Sequence, residues 1–461
     1  MVNSVYDVSD ATENATDRAA ADPPRARWRG ELIGAGIAAA LTVTAFTVPR
    51  IASEQWRGRL YAGAAPIFGN WLPHIGWGTA PAIVLACLVI VRGPELAGRL
   101  PWRSALATAW LTAIAWAFAL AMVDGWRRGF TDRLTTSHEY LHEVPGVTDI
   151  PDALHGFSDR ILDFQPDSWT THVSGHPPGA LLFFVLLDRI GLGGGAWAGT
   201  ACLLIGTSAV VAVAVTLRAL GAEHRARAAL PYLALAPAAI WIAVSADAVF
   251  AGVAAWAVAL LAIATRPGRA RVLVAMASGV LFGLCGYLSY GLALMALPAV
   301  AVLIAGRTPR PILAAAAGAL AVAAVFTLAG FWWLDGYHLV IERYYQGIAA
   351  ERPFAYFWWA NLAATLCALG LATAAALPRA LAPRVLRALD PAALLVVAGL
   401  CAVLVADMSG LSKAETERIW LPFDMWLLAA TAFLPRSHAR VWLAIQAAGT
   451  LALVHLVLTN W

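Results

Sequence analysis

The chain alternates between long apolar runs and short polar breaks. The runs extend over roughly 31–48, 79–93, 104–123, 196–217, 228–245, 247–265, 271–288, 290–306, 311–333, 356–378, 390–406, 419–434 and 440–458. Most are about 15 to 22 residues long, close to what an α-helix needs to cross a hydrocarbon core about 30 Å thick. The pattern predicts an all-α polytopic membrane protein with about thirteen transmembrane helices, within a range of 11 to 13. The turns at 245–247 and 288–290 are very tight, and the 79–93 run is short.

Basic residues set the frame. With the amino terminus inside, successive inner loops carry Arg99 and Arg103, then Arg218, Arg225 and Arg227, then Arg266, Arg269 and Arg271. Arg307 and Arg310 follow, then Arg379, Arg384 and Arg387, and last Arg436 and Arg440. Short basic loops on one side are what the positive-inside rule requires. The long loops fall on the other side, at about 50–78, 124–195, 332–355 and 407–418, and hold most of the Asp, Glu and His. The predicted location is therefore a multi-pass cell-membrane protein, amino terminus in the cytoplasm and any chemistry outside it. The stretch 176–195 has an apolar run of only about ten residues, which rises about 15 Å, half a crossing. It is read as a juxtamembrane helix at about 176–192 on the outer surface. Residues 1–28 are polar, lack a signal-peptide pattern and end in Arg25 and Arg27. They are read as a disordered cytoplasmic tail ahead of a membrane domain over 29–461.

Composition agrees with lipid as the main solvent. Hydrophobic residues make up 60% and charged residues 13%, against roughly 25% charged in a soluble domain. A net charge of +4, spent on loop arginines, excludes nucleic acid as a partner. The five cysteines all sit inside apolar runs, so no disulfide or metal framework is visible. Nothing in the pattern points to a particular oligomeric state.

Candidate chemistry collects in the outer loops. Asp124 follows the third span in AMVDGWRRGF, where it either faces a cavity between helices or simply marks the helix end. Residues 131–178 are dense in ionisable groups, including Asp132, Glu139, His172 and His176, and end in HVSGHPPG. His172 and His176 have the spacing of a helical metal pair, but Ser174-Gly175 and the prolines argue against a helix, and no metal site is expected. Asp247, in SADAVFAG, lies at a turn with almost no loop around it. Ionisable residues at such depth tend to be functional, the alternative being a helix cap beside Ser245. The 332–355 loop mixes paired aromatics with Asp335, His338, Glu342, Arg343, Glu351 and Arg352, which suits sugars and phosphates as well as an interfacial belt. Finally, KAETERIWLPF places Lys413, Glu415, Glu417 and Arg418 before a late span on the outer side. Arginine there runs against the charge trend, and bidentate binding of a phosphate is the chemistry it serves.

In this order the motifs resemble the GT-C superfamily of membrane glycosyltransferases, among them protein O-mannosyltransferases and aminoarabinose transferases. The resemblance rests on Asp124 at the outer end of an early span, a large loop closing on His176-Pro177-Pro178, Asp247 two spans later, and Arg418 opening the ERIWLPF element. It covers about 104 to 434. It implies inverting transfer of a sugar from a polyprenyl-phosphate donor to an extracytoplasmic acceptor such as a cell-envelope glycan, lipid or protein, with membrane lipids as surroundings. It also implies Asp124 as the base, and His176, Asp247, Lys413, Glu417 and Arg418 as the donor phosphate and sugar site. Two departures matter. Two extra spans precede the acidic residue, and the usual acidic pair is absent, so Asp132 and Glu139 stand as alternatives to Asp124. No cofactor is required, although a divalent cation could share in stabilising the leaving phosphate. A lipid-linked-sugar transporter and a non-catalytic membrane subunit are the rival readings; no internal repeat of the kind transporters carry is visible.

Overall fold

Each of the thirteen apolar runs becomes helical in the computed structural model, which describes residues 24–460, with side chains from residue 28. Most of the expected tail over 1–28 lies outside the described residues; the first helix is Pro24–Ile51. The protein is an all-α polytopic membrane protein. Eight helices are long and apolar enough to cross a bilayer unbroken: Trp28–Ile51, Thr79–Arg99, Trp102–Ala121, Gly195–Ala219, Ala246–Ala264, Arg271–Leu288, Pro391–Met408 and Arg436–Leu456.

The other five runs are broken or shortened. The run predicted over 311–333 ends at Leu328 and turns by 74° into Trp333–Gln346. Gly330 makes this bend with φ +100°, and a Cβ there would meet the His155 side chain at 2.6 Å. The 356–378 run bends by 101° between Phe354–Leu369 and Leu371–Ala380, at Gly370 with φ +77°. Positive φ is the region glycine enters without steric penalty. The 228–245 run divides at Pro237 into Glu223–Ala234 and Ala239–Ile242, and the amide of Ala238 donates to the carbonyl of Ala368 instead of to its own helix. The runs at 290–306 and 419–434 become the shorter apolar helices Tyr290–Gly306 and Leu421–Phe433. Counting each bent pair as one crossing gives ten spans by length and composition, fewer than the thirteen that hydropathy alone predicts. Broken helices persist at membrane depth when neighbouring helices satisfy the freed backbone groups.

Loop contacts separate into two ends. At the arginine-rich end, Arg227 donates to the carbonyls of Ala97 and Leu100, Arg225 pairs with Asp390, and Glu31 is held by Arg379, His438 and Trp442. At the other end, Phe68 meets Glu417, Arg352 meets Leu60 and Lys413, and Arg343 meets Asp163 and Ser174. Among the described residues these contacts form two separate sets.

The loop over 124–195 is a folded cap built from short helical turns. Phe157 packs on Trp169 and edge-on to Phe331, and Arg160 lies 3.3 Å above the Trp169 ring. It closes on Pro178–Arg189, a 12-residue helix that rises about 18 Å, too short to cross. A turn through Gly191 and Gly194, both at φ +84°, then leads into the span Gly195–Ala219. This is the juxtamembrane helix expected at about 176–192.

Candidate active site

Two acidic centres lie at the loop-rich end, and they differ in chemistry. Asp124, just past Trp102–Ala121, has three cationic or imidazole partners. Its Oδ1 lies 2.8 Å from His74 Nε2, while its Oδ2 accepts from Arg128 at 3.0 Å and from Arg133 at 2.7 Å. Both arginines also donate to the carbonyl of Thr459, which lies in a short strand, Val457–Thr459, paired antiparallel with Gly69–Trp71. Asp124 thus ties the first outer loop, the third span and the chain's last strand together. Asp132 is exposed and paired with Arg127 at 3.1 Å.

The second centre gathers most of the remaining candidates. Glu139 precedes a single helical turn, Tyr140–Glu143, and is 1% exposed. Its Oε1 accepts no hydrogen bond among the described residues, with His172 Nε2 nearest at 3.4 Å. Burial pushes its carboxyl up to about 8 against the pull of Arg418, and Asp247 adds to the rise. Desolvation of this kind penalises the charged form. His172 and His176 are lowered for the same reason and are neutral imidazoles. His172 lies on the one-turn helix Thr171–Ser174, which stops before the prolines. Nδ1 of His176 is 2.8 Å from the His172 carbonyl, which can only accept, so the proton sits there and Nε2 is left as the ring's acceptor. Tyr140 Oη lies 3.0 Å from the same Nδ1.

Asp247 and Arg418 form a buried ion pair beside these groups, at 2% and 4% exposure. The capping alternative for Asp247 falls to its neighbour: Ser245 is the N-cap of Ala246–Ala264, accepting from the amide of Ala248, and the Asp247 side chain goes to Arg418. Arg418 also donates through Nη2 to Glu415 Oε2 at 3.0 Å. Glu415 adopts φ +64°, a left-handed conformation that is costly for a residue with a Cβ. Lys413 stands slightly apart. Its Nζ donates to the Ala349 carbonyl at 2.9 Å and lies 5.3 Å from the Tyr345 ring. Glu417 is fully buried; one oxygen accepts from the Phe68 amide at 2.9 Å, and burial pushes its carboxyl up to about 7. Its other oxygen has no hydrogen-bond partner among the described residues, so Glu417 shares the burial and raised carboxyl of Glu139 but turns toward the first outer loop.

The structure therefore brings Glu139, His176, Asp247 and Arg418 together, and sets Asp124 and Asp132 in a separate cluster. Tyr140, His172 and Glu415 join the first group. Glu415 was signalled only by sitting three residues before Arg418, and Tyr140 by nothing local. Among the described residues no group of three or more His, Cys, Asp or Glu is arranged to hold a metal ion. The carboxylates of Asp247 and Glu415 both turn onto the Arg418 guanidinium.

A helical bundle spanning the membrane, with a folded cap over a buried cluster of acid, imidazole and guanidinium groups, is the class that fold and site define. No protein-family model matches the sequence, and no curated protein matches it. Among solved structures the chain is similar to the oligosaccharyltransferase of Archaeoglobus fulgidus, crystallised with zinc and sulfate. The two share 14% identity with a TM-score of 0.44, over 76% of this chain and 53% of that one. The chain thus spans about half the length of that protein, and a likeness at this level says nothing of activity.

Proposed function

We propose that the protein is an inverting glycosyltransferase of the membrane, using a polyprenyl-phosphate sugar on the face opposite the arginine-rich loops, with Glu139 as the base. The observation that carries this reading is a buried carboxyl with a free acceptor oxygen, raised toward neutrality, next to an arginine able to take a phosphate. A base working near neutral pH gains most from such a shift, and general-base catalysis contributes about 10²–10⁴-fold.

In the reaction, Glu139 accepts the proton of an acceptor hydroxyl as that oxygen bonds to the anomeric carbon. The bond from that carbon to the phosphate oxygen breaks, and the lipid phosphate leaves with the electron pair. Arg418 stabilises that charge. Its Nη2 is held by Glu415, the more exposed of its two carboxylate partners, so the incoming phosphate displaces Glu415 while Asp247 keeps the guanidinium in place. His176 offers Nε2 to a sugar hydroxyl. Lys413, buried against the Ala349 carbonyl and the Tyr345 ring, adds positive charge nearby.

The outward orientation proposed from the loop arginines agrees with this donor. Nucleotide sugars stay in the cytoplasm, so a transferase facing outward draws on a lipid-carried donor. The test is turnover by purified protein with radiolabelled polyprenyl-phosphate mannose, arabinose and glucose. Labelled product from one donor is expected. Movement of a lipid-linked sugar across vesicles without transfer to an acceptor would replace this reading with a transporter.

A further inference from the structure

On the opposite end of the bundle, helices Thr79–Arg99, Trp102–Ala121 and Glu223–Ala234 leave a groove of about 320 Å³ between them. That is at the lower limit of roughly 300–1,000 Å³ for small-molecule sites. Small side chains hollow it out: Gly93, Ala97, Ala105 and Ala109 form the floor, and leucines such as Leu88 and Leu96 form the rims. The polar features are few. Arg92 is exposed, and among the described residues it has no hydrogen-bond or ion-pair partner. Thr108 and Thr112, one turn apart, face the same slot from the neighbouring helix.

The helices run antiparallel through the break at Leu100, so Arg92 and Thr108 lie at similar depth, each about 10 Å from the end of its helix. Leu85 and Thr112 extend the slot toward the membrane centre. Of the nearby cations, Arg99 pairs with Glu95, and Arg218 and Arg227 with Glu223, while Arg103 is exposed in the first turn of its helix, short of the groove. Arg92 is different. An unpaired guanidinium within a span is costly and calls for an anionic partner at its own depth. Basic pockets between helices on the cytoplasmic side bind anionic head groups.

We propose that this groove binds an anionic phospholipid of the leaflet next to the arginine-rich loops. Its phosphate sits on Arg92 within reach of Thr108, and one acyl chain fills the slot along Leu85, Leu88 and Ala109. The ligand is not a reactant, because the sugar-transfer site lies at the other end of the molecule. The inference uses only the segregation of loops into two ends and stands whether or not the protein transfers sugar.

The test is native mass spectrometry of the full chain released from nanodiscs containing phosphatidylglycerol, phosphatidylcholine or polyprenyl phosphate. A retained phosphatidylglycerol adduct is expected, with little phosphatidylcholine. Arg92→Gln should weaken retention roughly fivefold or more, the scale of one basic residue at an anionic surface, and Arg92→Lys should restore much of it. Ala109→Phe should block the slot; if that variant does not fold, Thr108→Trp at the rim serves the same purpose. Equal retention of phosphatidylglycerol and phosphatidylcholine, or retention unchanged by Arg92→Gln, would overturn the proposal. Preferred retention of polyprenyl phosphate would overturn it in favour of an isoprenoid site.

Discussion

Asp124 and Glu139 lie 15 residues apart in sequence, yet the fold gives them opposite surroundings. Asp124 receives two guanidinium hydrogen bonds and the His74 contact, which fill its oxygens. Glu139 is buried with one oxygen unbonded, and is kept near neutrality by desolvation. A carboxylate surrounded by fixed donors stabilises a structure; one starved of donors is poised to take a proton. Acidity at the end of a span is thus a poor guide to the base, and the number of donors around the carboxylate is a better one.

The comparison is sharpened most by substituting Glu139. Glu139→Gln keeps shape and burial but removes the proton acceptor, and turnover should fall about 10²–10⁴-fold. The same variant should be more heat-stable than the parent at alkaline pH. The native carboxyl holds its proton up to about pH 8, whereas a glutamate in the unfolded chain loses it from about 4.5. Ionisation as pH rises through that window therefore weighs against the fold, and glutamine avoids it. Thermal melts at pH 4, pH 6 and pH 9 should show almost no gain at the lowest value, a partial gain at pH 6 and the full gain at pH 9.

Next in size is the buried pair. Arg418→Gln should abolish most donor turnover and also destabilise by about 3–5 kcal/mol, because Asp247 is left charged and unpaired. The double variant Asp247→Asn/Arg418→Gln should recover much of the melting temperature without recovering activity. For Asp124→Asn the expectation is reversed. Losing its arginine hydrogen bonds should cost about 1–3 kcal/mol, read by melting, while protein that remains folded turns over within a fewfold of the parent. The smallest effect belongs to Glu415→Gln, which should loosen its hold on Arg418 and lower the donor KM with little change in kcat.

Much of the architecture was legible in the chain because hydropathy and loop arginines are local signals. All thirteen apolar runs became helical, and Pro178–Arg189 stayed short of a span as expected. The breaks were not legible. Gly330 and Gly370 bend their helices against His155 and against Pro237 and Gln446, partners supplied from distant parts of the chain. The site divides the same way. Asp247, His176 and Arg418 were marked by unusual positions relative to the spans, and they converge. Asp124 bore the same local mark, but His74, which meets one of its oxygens, comes from a loop 50 residues away, and the Thr459 carbonyl that anchors its two arginines comes from a strand more than 300 residues away. Only the fold reveals that its oxygens are occupied.

The central claim, that Glu139 rather than Asp124 takes the acceptor proton, is tested most directly by the pH dependence of kcat/KM for the polyprenyl-phosphate sugar. Since kcat/KM reports ionisations of the free enzyme, the parent should show an acid limb rising to a plateau with an apparent pKa of about 8, and Asp124→Asn should retain that limb. An acid limb in the ordinary carboxylate range, or one that disappears in Asp124→Asn, would contradict it.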